Sequence, residues 1–379
     1  MLDSAAASLG PPLRCELRFG HNSGFSFTFP SSFCILRAVV DKKREPSRFA
    51  AQFARHASAF AYVLREVLPV ILTTGRRPVI FSRFIGMGDI ICTIPATREL
   101  MKRHPGATFI YNCHQDFAAV PGIAAVAARV TSFPDVGLVG HWYRFLLGGF
   151  YHFAHGDDIP GQAAQEPMVM EFCRQFSVSV TDEHPLLEAT FAARANAIAL
   201  LAGEKLNADQ LVIIHCGPSW TVKEWPQEHW AKLVALLRER GFTNIAQVGV
   251  GRYLTVGSVA VTPVPGAVSL LDKLSVEECI AVIAQAKLFV GIDSGLLHLA
   301  AATRTASVAV WGPTDPRLFY AEKFRGGFLR ANVDCAGCEH LKPRTHWFAN
   351  CPFEIKCMKA IAPEDVLQVC LKTLGQRAD

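Results

Sequence analysis

From residue 78 onward the 379-residue chain alternates short apolar, β-rich runs with stretches of helical period. The runs fall at 79–84, 108–113 and 130–135, and a second series follows at 211–216, 244–250, 288–292 and 307–312. A strand that is apolar at nearly every position is buried on both faces, and strands separated by helices pair in parallel. This pattern confines the chain to parallel sheets covered by helices. Two series joined near residues 195–210 make two doubly wound halves with a ligand cleft between them. Half of the residues are hydrophobic and 19% are charged, enough apolar material for full cores and too little charge for a disordered chain.

The expected organisation is an irregular extension over 1–46, an amphipathic helix over 47–77, a first Rossmann-like half over 78–200, a second over 208–334, and a C-terminal segment over 335–379. In the helix, Phe49, Phe53, Ala57, Phe60, Leu64, Val67, Leu68 and Ile71 recur at steps of three and four, a stripe expected to pack on the first half. Residues 140–160 are aromatic-rich and fit neither period, so a long loop is expected there. Every apolar run of membrane-spanning length is broken by charge, as by Arg65 and Glu66, and the first thirty residues lack a secretory signal pattern. A cytoplasmic protein is expected, with a peripheral place at the inner face of the membrane as an open alternative. The net charge is +5, but 35–103 holds thirteen Lys or Arg against five acids. That excess suits an anionic partner.

Three strand-to-helix junctions carry the chemistry, each at the carboxyl end of an expected strand. The first runs Arg83-Phe84-Ile85-Gly86-Met87-Gly88-Asp89. Its glycines permit a tight turn with backbone close to a ligand, and Asp89 reads either as a helix cap or as a carboxylate able to take a proton from a substrate hydroxyl. The second holds Ser219, Thr221 and Lys223 in a loop entering a helix, where hydroxyls, amides and one ammonium suit phosphate oxygens. The third, Asp293-Ser294-Gly295, delivers a carboxylate and a helix N-terminus that could receive a diphosphate. His298 lies four residues after Ser294 on the same face.

With these junctions in order, and with Lys223-Glu224-Trp225-Pro226 and Trp311-Gly312-Pro313-Thr314-Asp315-Pro316 beside them, the sequence resembles glycosyltransferase family 9, the ADP-heptose:lipopolysaccharide heptosyltransferases. The resemblance runs from about residue 78 to 374. It implies a GT-B type α/β fold, two Rossmann-like doubly wound domains facing a cleft, with the acceptor on the first and the nucleotide sugar on the second. It implies an inverting transfer of heptose from ADP-heptose to a lipopolysaccharide-type glycan, with Asp89 as general base. Gly88, Ser219, Thr221, Lys223, Asp293, Ser294, Gly295 and His298 would bind substrate, and no cofactor would be needed for catalysis. The implied partners are a nucleotide-sugar donor and an anionic glycan or glycolipid acceptor; nucleic acid is not among them. Other readings of the same architecture are another donor, a protein acceptor, a nucleotide-sugar epimerase and a non-catalytic carbohydrate binder. One departure stands out: the family's acidic residue after the strand ending Gln247-Val248-Gly249 is missing here.

Cys335, Cys338, Cys351 and Cys357 cluster within 23 residues. In a reducing compartment a disulfide framework is not expected, and four thiolates at this spacing can hold a structural zinc or iron. The alternative is four unligated cysteines. The other eight, Cys92 among them, read as small buried apolar residues. A last helix begins near Pro363, and the resemblance implies that it returns to the first half.

Overall fold

The computed structural model describes residues 15–18, 24–27, 48–84, 86–149, 151–153, 166–182, 184–251, 260–318, 326–339 and 350–375. The chain divides into a small unit, Met1–Arg55, and a large one, His56–Asp379. In the small unit β1 (Cys15–Arg18) and β2 (Gly24–Phe27) pair antiparallel, Cys15 opposite Phe27. This corrects the irregular reading of that stretch. Phe25, Ser26 and Phe27 alternate with period two, which a search for helical period passes over. The rest of 1–46 lies outside the described residues.

Helix α1 (Arg48–Tyr62) runs through a π-helical turn, Val63–Val67, into α2 (Leu68–Thr74). Pro69 has no N–H for the carbonyl four residues earlier, and the turn widens so that Leu68 N donates to Val63 O instead. The buried stripe is Ala59, Tyr62, Val63, Glu66 and Val67, packed against Ile80, Ile110, Val139 and Tyr143. The expected stripe is therefore rotated. Phe49, Phe53 and Leu64 are exposed, because apolar residues lie all round this helix and the π-turn shifts its phase. By length and composition 49–74 could cross a bilayer, yet Tyr62 donates or accepts a buried 2.6 Å bond with Thr131, and Arg129 reaches buried Glu66 at 2.5 Å.

The first sheet has order β5-β4-β3-β6, all parallel. Its elements are β3 (Val79–Ser82), α3 (Met87–Cys92), α4 (Ile94–Arg103), β4 (Phe109–Asn112), α5 (Ala119–Ile123), β5 (Arg129–Thr131), α6 (Val136–Leu147) and β6 (Tyr151–Phe153). The single helix expected up to Arg103 is split at Thr93, since Pro95 sits in the first turn of α4 and cannot continue α3. Residues 140–147 of the expected loop at 140–160 are in helix α6, capped by the Asp135 side chain and ended by Gly148 at φ 56°; residues 150 and 154–160 lie outside the described ones. Helices α7 (Met168–Gln175) and α8 (Phe191–Gly203) lead to the second half. Where a linker is expected, α8 instead buries Ala193, Ala197 and Leu201.

The second sheet, also all parallel, has order β12-β11-β10-β7-β8-β9. It comprises β7 (Val212–His215), α9 (Gln227–Glu239), β8 (Ile245–Gln247), β9 (Val268–Ser269), α10 (Val276–Gln285), β10 (Leu288–Ile292), α11 (Gly295–Ala302), β11 (Ser307–Trp311) and β12 (Gly326–Arg330). Numbered within its own half this is 3-2-1-4-5-6, the dinucleotide-fold order, with its reversal between β7 and β10. α12 (Lys356–Lys359) and α13 (Pro363–Thr373) close the chain. Among the described residues α13 packs on the second half and not, as expected, on the first. Its Val366, Leu367, Cys370 and Leu371 complete the second core, and Glu364 pairs with Lys232 on α9.

The anchoring of the π-turn can be measured. Tyr62→Phe, which leaves Thr131 without its phenol partner, is expected to cost about 1 kcal/mol in urea denaturation, and Tyr62→Ala about 3–5 kcal/mol.

Candidate active site

The reversal between β7 and β10 collects the second and third junctions. Lys223, in the single turn Thr221–Lys223, places its Nζ 2.7 Å from Asp293 Oδ2 and 4.1 Å from the centre of the Trp220 ring. Thr314 donates to the same carboxylate oxygen at 2.7 Å, and Ser219 Oγ donates to the Asp293 carbonyl at 3.3 Å. Burial alone would raise Asp293, but the Lys223 charge and hydrogen bond, with the Thr314 hydrogen bond, hold its carboxyl below the ordinary value. The lysine is thus a member of a buried ion pair and not a free surface charge. Ser294 stands at the N-cap of α11 without capping it; its Oγ, like Thr221 Oγ1, is buried without a hydrogen-bond partner among the described residues. Buried hydroxyls left so are ready for ligand oxygens.

The first junction faces this loop. Gly86 turns at φ 84°, and Asp89 lies in the first turn of α3, paired with Arg83 rather than serving as the cap. A Cβ on Gly86 would lie 2.7 Å from Asp89 Oδ2, so the carboxylate folds over a surface only glycine leaves open. A Cβ on Gly88 would lie 2.5 Å from His298 Cδ2, and one on Gly295 2.6 Å from Met87 Cε. The N-terminal turns of α3 and α11 therefore touch through glycine. Cys92 Sγ lies 3.3 Å from His298 Nδ1. Burial pushes the imidazole down to about 3, against the pull of Asp293, and it is neutral in the folded protein at ordinary pH.

All the site residues expected from sequence lie at these three junctions: Gly88 and Asp89 at the first, Ser219, Thr221 and Lys223 at the second, Asp293, Ser294, Gly295 and His298 at the third. Arg83, Cys92, Trp220 and Thr314 join them without having been singled out for roles. Thr314 was within reach of sequence reasoning, as a polar residue closing an apolar strand in Trp311-Gly312-Pro313-Thr314. Cys92 was not, because its partner is more than two hundred residues away.

The clustered cysteines lie beyond the end of β11. Cys335, Cys338 and Cys357 are buried, Cys351 is half-buried, and none of the four is joined in a disulfide. Burial, then the neighbouring Cys335, Cys338 and Cys351, push the Cys357 thiol up to about 12. The four share one neighbourhood, but among the described residues no three His, Cys, Asp or Glu side chains form a group that could hold a metal ion.

Residues 150–345, 196 of the 379, match Glycosyltransferase family 9 (heptosyltransferase). The chain belongs to this family. It is 25% identical over 307 residues to lipopolysaccharide heptosyltransferase 1 of Pseudomonas aeruginosa, covering 69% of this chain and 85% of that protein. Among solved structures, Escherichia coli ADP-heptose lipopolysaccharide heptosyltransferase II matches with TM-score 0.57 and 14% identity, over 78% of this chain and 98% of that one. TibC of enterotoxigenic Escherichia coli, an iron-containing dodecameric heptosyltransferase solved with ADP-D-beta-D-heptose, matches with TM-score 0.56 and 18% identity over 78% and 76%. The fold is GT-B, and this family 9 protein is a glycosyltransferase.

The buried histidines of this glycosyltransferase weaken it in acid. His298 is depressed to about 3 and His215, also by burial, to about 4. The unfolded chain therefore binds more protons below about pH 6.5, and stability is full above that value and falls with pH through the window down to the folded values. Urea denaturation is expected to show a loss of about 3 kcal/mol per histidine by about pH 4.5. The share of Asp293, whose folded value is lowered, disappears only at still lower pH.

Proposed function

We propose that this glycosyltransferase moves heptose from ADP-heptose to a lipopolysaccharide-type acceptor with inversion at the sugar's anomeric carbon. The observation that carries this reading is the meeting of a carboxylate, Asp89, with a phosphate-suited cradle. That cradle is Lys223, the Ser294 and Thr221 hydroxyls and the α11 amides, brought to Asp89 across the Gly88–His298 contact. Asp89 takes the proton of the acceptor hydroxyl, whose oxygen forms the new bond to the anomeric carbon. On the opposite face the bond to the diphosphate oxygen breaks, and the nucleoside diphosphate leaves with the electron pair. Lys223 and the helix N-terminus neutralise the developing charge, so the step calls on no catalytic metal. The choice of heptose and ADP is supported by the names of the relatives. The choice of an anionic glycolipid acceptor, met at the cytoplasmic face of a membrane, is supported by the basic excess over 35–103 and by exposed Phe49, Phe53, Leu64 and Leu72.

Asp89→Ala is expected to lower turnover at least 10²-fold while calorimetry shows unchanged ADP affinity. Near wild-type turnover would remove Asp89 from the reaction. Lys223→Ala is expected to weaken ADP binding and, by leaving Asp293 buried without its cation, to cost about 3–5 kcal/mol of stability. Lys223→Arg should keep the charge and only part of the affinity.

The cysteine cluster belongs to the same reading as a structural metal site, with Cys335, Cys338, Cys351 and Cys357 as ligands to zinc or iron. Its support is the shared neighbourhood of the four cysteines, none in a disulfide, and the iron in TibC's description; the thiols would draw together on binding the ion. Purified, reduced protein is expected to carry about one equivalent of metal by elemental analysis, and Cys338→Ser to release it and destabilise the C-terminal segment. Metal-free, fully stable protein would rule the site out and leave the transferase assignment standing.

A further inference from the structure

In a dinucleotide-type half the nucleoside ribose is held by a carboxylate at the carboxyl end of the strand beside the switch strand. Here the switch strand is β7 and its neighbour β8, yet residues 248–266 contain no Asp or Glu. A carboxylate does stand beside that loop, carried by the segment after β9. Asp272, three residues past the end of β9, lays its side chain across the β8 loop, where Gly251 N donates to Oδ2 at 3.0 Å. Its own N–H donates to Gly249 O at 3.0 Å, so both ends of the residue are tied to that loop. Asp272 is exposed to solvent and holds a left-handed backbone, φ 59°. That conformation is costly for most residues and tolerable for Asp, and a turn needing only shape would more readily use glycine.

The same loop continues into the donor cradle. A Cβ on Gly249 would lie 2.9 Å from Gly217 O and 3.1 Å from His215 Nδ1, so the β8 loop rests directly on the β7 loop. Two residues further, Ser219 bonds the Asp293 carbonyl. We infer that Asp272 is the residue that receives the ribose hydroxyls of the nucleotide donor, standing in for the carboxylate absent after β8. This rests on the donor reading given above. It assigns ribose selectivity to a charge-assisted hydrogen bond, the kind that separates hydroxyl from deoxy ligands.

The test is calorimetric titration of the full chain with ADP, 2′-deoxy-ADP and 3′-deoxy-ADP, with GDP and UDP as base controls. Wild-type protein is expected to bind ADP about tenfold or more tightly than at least one deoxy analogue. Asp272→Asn keeps an acceptor for Gly251 N and a residue type that tolerates positive φ, and is expected to abolish most of that preference. Asp272→Gly should do the same with no loss of melting temperature. Wild-type discrimination retained in Asp272→Asn, or none in the wild type, would overturn the inference while nucleotide binding itself upheld the donor reading. Failure of every nucleoside diphosphate to bind would overturn both.

Discussion

The assembled site depends above all on the missing side chain of Gly88. Helices α3 and α11 come from different halves of the chain, and their first turns touch because Gly88 leaves room for the His298 ring and Gly295 for Met87. A methyl on Gly88 would lie closer to the buried His298 ring than real carbons approach, so the ring or the helices would have to shift, whereas one on Gly295 would press on Met87, whose flexible end can give. Everything that needs both halves follows from this approach: the Cys92–His298 contact and the presentation of Asp89 toward the Lys223–Asp293 loop.

Within that frame the electrostatics are arranged by burial. Lys223 and Asp293 are each largely removed from water, so their attraction acts in a low effective dielectric and is offset by the cost of desolvating both ions. Thr314 and the Trp220 ring supply part of what water would have given. A diphosphate reaching this pair would compete with Asp293 for the ammonium. The neutral His298 beside it adds no charge to that competition.

Much of this was legible in the sequence, for identifiable reasons. Buried parallel strands are apolar at every position, so β3, β4, β7, β10 and β11 announce themselves, and the polar residues that interrupt them fall at their carboxyl ends, where Asp89, Lys223 and Asp293 were found. What escaped is what periodicity does not encode. α6 and α8 were missed because glycine, aromatic and alanine-rich runs blur a helical stripe. The phase of α1 was misjudged because the π-turn adds a residue per turn where Pro69 withholds its N–H. The path of α13 was taken from resemblance, while its Val366, Leu367 and Cys370 pack onto the second core. Asp272 was invisible as a site residue because the left-handed turn that throws its carboxylate across to the β8 loop is a property of backbone geometry and not of residue order.

The place of α13 has a consequence for how the protein is made. The second core is closed by residues that follow all of its strands in the chain: Cys357, Met358 and Ile361, then Val366, Leu367, Cys370 and Leu371. Its central strand β7 pairs with β10 more than seventy residues later, Val212 opposite Leu288, and the apolar face of the sheet stays uncovered until α13 emerges from the ribosome. The first sheet, whose described strands end at residue 153, can form while translation continues, whereas the second core closes only after α13 has been made. A nascent chain arrested before Pro363 would therefore present an ordered first half beside a second half whose apolar core lies open.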